Sequence, residues 1–313
     1  MRVIVLLNAK AGSAQSSASE DQAQRLRESF QAENIDADVR PTLGADLTES
    51  ARRAARERPD AVIAAGGDGT VSAVAGGLTG SDIPMGILPL GTLNHFAKDL
   101  GLPIDSEDAI EVIRSGHVRL VDVGAVNDHV FINNSSIGIY PEVVRDRDAQ
   151  QTRLGRGKWV AMFVASVAAL RRFPVVRVRL GINGRTVLRT TPFVFVGNNE
   201  YEMSLFNVRG RHCLDRGLLS LYVAHRTGRF GMFILALRAL VGRLDQAKDF
   251  EAACLPEVWV ETGKRRLHVA ADGEVMIMQP PLHYTIRPKS LRVLAPPLEP
   301  QPPSPPDHQP LTT

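Results

Sequence analysis

Three short stretches combine residue types that phosphoryl chemistry uses. The first is Gly66-Gly67-Asp68-Gly69-Thr70, which follows the apolar run Ala61-Val62-Ile63-Ala64-Ala65. A glycine-rich turn between a buried strand and a helix lets backbone N–H groups approach phosphate oxygens, because Gly66, Gly67 and Gly69 carry no Cβ and tolerate positive φ. Thr70 is expected to cap the helix that Val71 to Leu78 continues. Asp68 is the unusual member, since a carboxylate among phosphates is repelled unless a cation such as Mg²⁺ lies between them. The second stretch repeats this logic: Gly91-Thr92 ends the short strand Met85 to Leu90, with Asn94 close behind at the start of a helical segment. The third is Asp272-Gly273-Glu274, between LHVAA and EVMIM. An Asp-Gly pair in that setting is what a two-residue hairpin turn requires.

The elements that must position these residues fall into two groups. Strands at Arg2 to Leu7, Ile35 to Thr42, Ala61 to Ala65 and Met85 to Leu90 alternate with helices near Glu20 to Glu33, Leu47 to Arg58, Val71 to Leu78, Leu93 to Leu100 and Ser106 to Ser115. That spacing predicts a parallel α/β sheet with right-handed crossovers, whose ligands sit at the carboxyl ends of the strands. Asn8 to Ser13 has the small and polar residues of a ligand-facing loop. The strand RLVDVGAV, which carries Asp122, follows, and near Asn127 the pattern becomes mainly β. Val176, Val178 and Leu180 alternate with Arg177 and Arg179 ahead of the turn signal Asn183-Gly184, and further short strands end at LHYTIRP. Such strands with turn signals predict an antiparallel sandwich or closed sheet. The expected organisation is an α/β domain over 1–125, a β-rich domain over 126–295 whose last strand is free to pack back on the first, and a disordered proline-rich tail over 296–313.

Composition narrows the function class. A chain of 313 residues, 23% charged and 44% hydrophobic, has ample capacity for two buried cores and reads as a soluble globular protein. The formal charge of +3 is mild and the basic residues are scattered without interleaved aromatics, which argues against nucleic acid as a partner. Cys213 and Cys254 lack metal-ligand spacing and fit a reducing, cytoplasmic setting. The opening VIVLL is too short for the apolar region of a signal peptide, and no later run reaches spanning length. Two apolar helices, Trp159 to Leu170 and Phe230 to Leu244, are flanked by Arg153, Arg156, Lys158, Arg171, Arg172 and Arg229. They fit ordinary packing on a sheet, an acyl-chain pocket or the surface of an anionic bilayer.

Four segments taken in order, Asn8 to Ser13, Gly66 to Thr70, Pro89 to Pro103 and Ala271 to Glu274, resemble the diacylglycerol kinase catalytic-domain superfamily. The likeness is to the bacterial lipid kinases that also resemble sphingosine and ceramide kinases. It implies an N-terminal α/β domain resembling those of phosphofructokinase and NAD kinase, a C-terminal antiparallel β-rich sandwich, and MgATP between them. Carried over by residue, it puts Asn8 and Gly12 near the nucleotide, Gly66, Gly67, Asp68, Gly69 and Thr70 around its phosphates, and Gly91, Thr92 and Asn94 beside it. Asp122 falls where the family has an acidic active-site residue. Asp272 and Glu274 match carboxylates near the acceptor hydroxyl, Asp272 as base or orienting group. The segment Leu214 to Leu221 resembles one that holds a structural Mg²⁺, with Asp215 as ligand. This chain departs from the pattern at Ala9, where proline is usual, and at Ser13, where a basic residue often follows the glycine. It departs again at His95 and at Arg216, where aspartates are common.

The function these expectations add up to is an ATP- and Mg²⁺-dependent lipid kinase acting on diacylglycerol or a related lipid alcohol. It would be cytoplasmic and peripheral on the inner face of the membrane, with a homodimer as an allowed assembly. A soluble-metabolite kinase, with NAD as acceptor, and a non-enzymatic nucleotide- or lipid-binding protein are the rivals.

Overall fold

The computed structural model describes residues 1–9, 13–138, 176–182, 184–200, 213–224 and 250–297. The two apolar helices expected at Trp159 to Leu170 and Phe230 to Leu244, Asn183 and the tail beyond 297 lie outside them. The chain divides into two compact units, Met1–Val123 with the stretch that begins at Arg287, and Gly124–Ile286.

In the first unit, strands β1 (Arg2–Ala9), β2 (Asp36–Leu43), β3 (Ala61–Gly66) and β4 (Met85–Pro89) alternate with helices α1 (Ser13–Ala32), α2 (Leu47–Arg56), α3 (Asp68–Leu78), α4 (His95–Asp99) and α5 (Ser106–Ser115). The strands are parallel in the order β2-β1-β3-β4. Each apolar run is what a strand covered on both faces needs, and every residue of β3 and β4 is buried. Val3, Val5, Ile63, Ala65 and Leu88 share one core with Phe30 of α1 and Ile110 and Ile113 of α5. Asp105 begins α5 as an N-cap, its carboxylate accepting from Glu107 N, and Gly116 ends it in the left-handed region. Strand β5 (Val118–Val126) leads out of the unit.

In the second unit, β6 (His129–Phe131), β7 (Asn134–Gly138), β8 (Val176–Ile182), β9 (Arg185–Thr191), β10 (Phe193–Asn198), β11 (Leu219–Ala224), β12 (Phe250–Leu255), β13 (Glu257–Glu261), β14 (Leu267–Ala271), β15 (Glu274–Met278) and β16 (Leu282–Leu294) follow. One antiparallel sheet runs β12-β11-β10-β7-β14-β15. Opposite it, the first part of β16 pairs with β13, β13 with β8 and β8 with β9. Val176, Val178 and Leu180 point into a common core with Ile137, Val194, Leu221, Val269 and Tyr284, while Arg177 and Arg179 face out. The alternation thus does what a two-sheet sandwich requires. After the exposed stretch Arg287 to Lys289, the last part of β16 lies parallel to β4 in the first unit, with Val293 opposite Met85.

Three expected boundaries differ, and one strand is additional. Helix α1 begins at Ser13 rather than near Glu20, and α4 is confined to His95–Asp99. Helix α3 begins at Asp68, so Gly67 is its N-cap and Thr70 lies inside its first turn rather than capping it. Strand β12 carries a Glu-Ala-Ala-Cys stretch with little β-propensity, and pairing with β11 along its whole length imposes it.

Candidate functional site

The three parallel strands β1, β3 and β4 end at one edge of their sheet, and three of the expected nucleotide segments lie there. Gly66, Gly67 and Gly69 are not in the positive-φ region; Gly67 has φ −90° and ψ −172°. Their value is closeness instead. A Cβ on Gly66 would collide with Thr70, and one on Gly91 would meet Gly67 Cα at 2.5 Å and Asn94 Oδ1 at 2.7 Å. The backbones of the two turns therefore touch at Gly67 and Gly91, which only glycine permits. Asn94 holds the second turn shut: it sits at φ 50°, its Oδ1 accepts from Gly91 N at 3.1 Å, and its Nδ2 donates to Gly91 O at 2.9 Å and Pro89 O at 3.1 Å. Asp68 Oδ1 accepts from His95 N at 2.7 Å and ties the start of α3 to the start of α4. Asn8 Nδ2 donates to Thr70 Oγ1 at 2.9 Å, joining β1 to the same group. Thr92 and Gly69 are exposed beside it, and Gly12 lies outside the described residues.

This arrangement fits a polyphosphate. It is a cradle in which a Cβ on Gly66 or Gly91 would collide, at a sheet edge where α3 begins, and a helix start presents unpaired N–H groups and a positive dipole end. Asp68 is partly exposed and is the one carboxylate expected for the metal of a metal–nucleotide that lies among these turns. His95 contributes its backbone N–H to Asp68 and its side chain is exposed.

Asp122, on β5, is completely buried, and its Oδ1 accepts from Lys289 N at 2.8 Å. Lys289 has φ 49° and follows Pro288, which has no N–H to give. A buried carboxylate here compensates an irregular backbone, and both groups belong to the first unit.

In the second unit, β14 and β15 join through Asp272 at φ 47° and Gly273 at φ 87°, flanked by the pair Ala271 and Glu274. This is the two-residue turn that the Asp-Gly signal predicts. The Asp272 side chain turns back on the protein. Oδ2 accepts from Ile132 N at 2.8 Å, Oδ1 accepts from Asn133 N at 2.8 Å and Asn134 N at 3.0 Å, and Asp272 N donates to Asn134 O at 2.9 Å. Glu274 is exposed at the head of β15. Asn198 supports the same 132–134 turn: its N donates to Asn133 O at 2.8 Å and its Nδ2 to Ile132 O at 2.9 Å, with the side chain fully buried. Beneath β7, Ser135 Oγ lies 3.2 Å from Tyr284 Oη and donates to Ala270 O at 2.9 Å. Burial pushes the Tyr284 phenol up to about 12. Neither Asn198 nor Ser135 was singled out from the sequence for this role; the usable signal was a buried-strand asparagine pair, Asn198-Asn199, which the turn preference of asparagine obscures.

Asp215 is exposed, and its neighbour Arg216, whose Nη1 is 2.8 Å from Glu200 Oε2, brings a positive charge instead of a second oxygen ligand to the segment expected to hold a metal. Among the described residues no three Asp, Glu, His or Cys side chains gather as ligands.

Comparison with known proteins agrees with this fold. Residues 2–126 match the diacylglycerol kinase catalytic domain. Residues 136–295, just over half of the chain, match the YegS C-terminal NAD kinase beta sandwich-like domain. By the larger of these matches the chain belongs to the family of the YegS C-terminal NAD kinase beta sandwich-like domain. It is 39% identical over 119 residues to the diacylglycerol kinase of Bacillus subtilis, covering 37% of this chain and 39% of that one. It is 29% identical over 241 residues to an uncharacterized protein of Synechocystis sp., covering 75% of this chain and 54% of the other. Alignment with such curated relatives thus spans from a third to about half of their length. The crystal structure of a diacylglycerol kinase from Bacillus anthracis str. Sterne shares the fold, with a TM-score of 0.64 at 23% identity over 95% of this chain and 97% of that one.

Proposed function

We propose that this protein is a kinase that transfers the γ-phosphate of MgATP to a hydroxyl of diacylglycerol or a related lipid alcohol. The observation that carries the reading is the contact of two glycine turns, Gly67 against Gly91, at the strand ends of a domain that matches the diacylglycerol kinase catalytic domain. Bound there, a magnesium–nucleotide supplies an activated phosphoryl group and charge neutralisation. The residues we assign to it are Asn8, Gly66 to Thr70, Gly91, Thr92 and Asn94. Asp68 would face the metal while keeping its bond to His95 N.

We assign the acceptor to Asp272 and Glu274. Asp272 is rigidly held by three amides, and taking up a proton would weaken at least one of those bonds. It is therefore better suited to orienting the acceptor hydroxyl, a role in which fixed geometry is the main asset. Glu274, exposed beside it, is our candidate for receiving the proton. Asp122, completely buried and accepting from Lys289 N, is assigned a supporting role within the first unit rather than contact with substrate. Among the described residues no helix is long and apolar enough to cross a membrane, and we propose that the protein meets its lipid at the bilayer surface from the cytoplasmic side.

The test is incubation with MgATP labelled at the γ-phosphate and total lipid extract, with products identified by mass. A phosphorylated lipid alcohol is expected, lost in Asp68→Ala and Asp272→Ala. Transfer to NAD with no lipid product would replace this reading, and nucleotide binding without turnover on any lipid would reduce it to a binding protein.

A further inference from the structure

The described residues that flank the β10–β11 connection, Asn199 and Glu200 after β10 and Arg216 to Leu218 before β11, are joined by charge and backbone in a way that the family's metal-holding segment does not predict. Arg216 makes two of these links. Its guanidinium pairs with Glu200 at 2.8 Å, both side chains being a little over a third exposed, and its backbone N donates to Asn199 Oδ1 at 3.1 Å. Asn199 is fully buried in the left-handed region at φ 64°. Its N donates to Leu218 O at 3.0 Å and its O accepts from Ser220 Oγ at 2.7 Å. Arg216 stands where the resemblance leads one to expect a second aspartate, so the segment Leu214 to Leu221 carries Asp215 as its one acidic residue and a fixed positive charge in place of a second oxygen ligand.

We propose that the Arg216–Glu200 ion pair takes the place of a structural cation at this turn, and that it holds the outer end of the frame behind Asp272. The frame is continuous. Asn199 Nδ2 donates to Asn198 Oδ1 at 3.3 Å, and Asn198 holds Ile132 and Asn133, whose amides bind the Asp272 carboxylate. Arg216 is thus a positioning residue that works through Asn199, and the frame is independent of metal.

The experiment is thermal unfolding of the full chain without nucleotide, in EDTA and in millimolar Mg²⁺, which needs no phosphoryl transfer. Wild type is expected to melt at the same temperature in both. Arg216→Lys keeps the charge and stays near wild type. Arg216→Asp sets a carboxylate where the guanidinium faces Glu200, so it melts about 2–4 °C lower in EDTA and recovers with Mg²⁺. The proposal is overturned by a wild-type melting temperature that falls in EDTA, returns with Mg²⁺ and loses that dependence in Asp215→Asn. It is equally overturned if Arg216→Asp melts with wild type in EDTA. Where Asp215→Asn fails to fold, Asp215→Ser takes its place in that comparison.

Discussion

Two Asp-Gly pairs, Asp68-Gly69 in the first unit and Asp272-Gly273 in the second, have the same composition and opposite physics. Asp68 opens a helix and accepts one amide, His95 N, and the glycines around it have ordinary dihedrals and serve close approach. Asp272 turns a hairpin at positive φ and accepts three amides from a segment about 140 residues away in sequence. Gly273 has open space where a Cβ would stand, whereas Gly91 has the Cα of Gly67. A glycine can thus be required by its neighbours or by its own backbone, and substitutions tell the two apart.

The largest difference should appear in the carboxylates. Asp272→Ala strands three donors and is expected to cost about 2–4 kcal/mol in a denaturant titration, against about 1 kcal/mol for Asp68→Ala. Equal losses would break the comparison. Both variants should lose phosphoryl transfer if the proposed function holds. Next come the glycines. Gly91→Ala forces two backbones apart and should cost about 1–3 kcal/mol with a matching loss of nucleotide affinity. Gly273→Ala should cost about 1 kcal/mol from backbone strain alone, and Gly273→Asn less, because asparagine tolerates the left-handed region. Gly91→Asn should show no such relief. A smaller effect tests how the first turn is tied to its sheet: Asn8→Ala removes the bond to Thr70 Oγ1 and should cost about 1 kcal/mol, read as a fall in stability with nucleotide affinity reduced in step.

The smallest concerns the support of the second turn. Tyr284→Phe gives up the Ser135 contact for about 0.5 kcal/mol near neutral pH. Its signature is in the pH dependence. With the buried phenol at about 12 and an unfolded value near about 10, the tyrosine's contribution is complete below about 10 and lost as pH rises towards about 12. Wild type should therefore lose stability across that window more steeply than Tyr284→Phe, and parallel alkaline curves would contradict the assignment.

How much of this was legible depended on whether the cause was local. The strand before Gly66, the helix over Ser106–Ser115 and the Asp272 turn were readable, because apolar runs, a capping aspartate and an Asp-Gly pair act within a few residues. The location of Thr70 inside α3 was not, since the helix starts where Asp68 finds the distant His95 amide. Asn94 reads from the string as a ligand contact, and the bonds by which it also closes its own turn are set by the backbone of Gly91, which the string does not show. The amide frame around Asp272 joins residues near 132, 198 and 272, and no pattern along the chain announces it. Strand β12 was hidden for the same reason, being set by its partner rather than by its composition.

The division of β16 between the two units has a consequence in time. Strand β4 is complete once Pro89 has been made, but the strand that lies against it runs to Leu294, the last described strand of the chain. At about 5–20 residues per second, the ribosome needs roughly 10–40 s to supply it. Throughout that interval the nascent glycine-turn unit carries an unfilled sheet edge, the kind of surface that recruits stray strands and chaperones. Its first half-minute, rather than its finished state, is when this protein is most exposed to error.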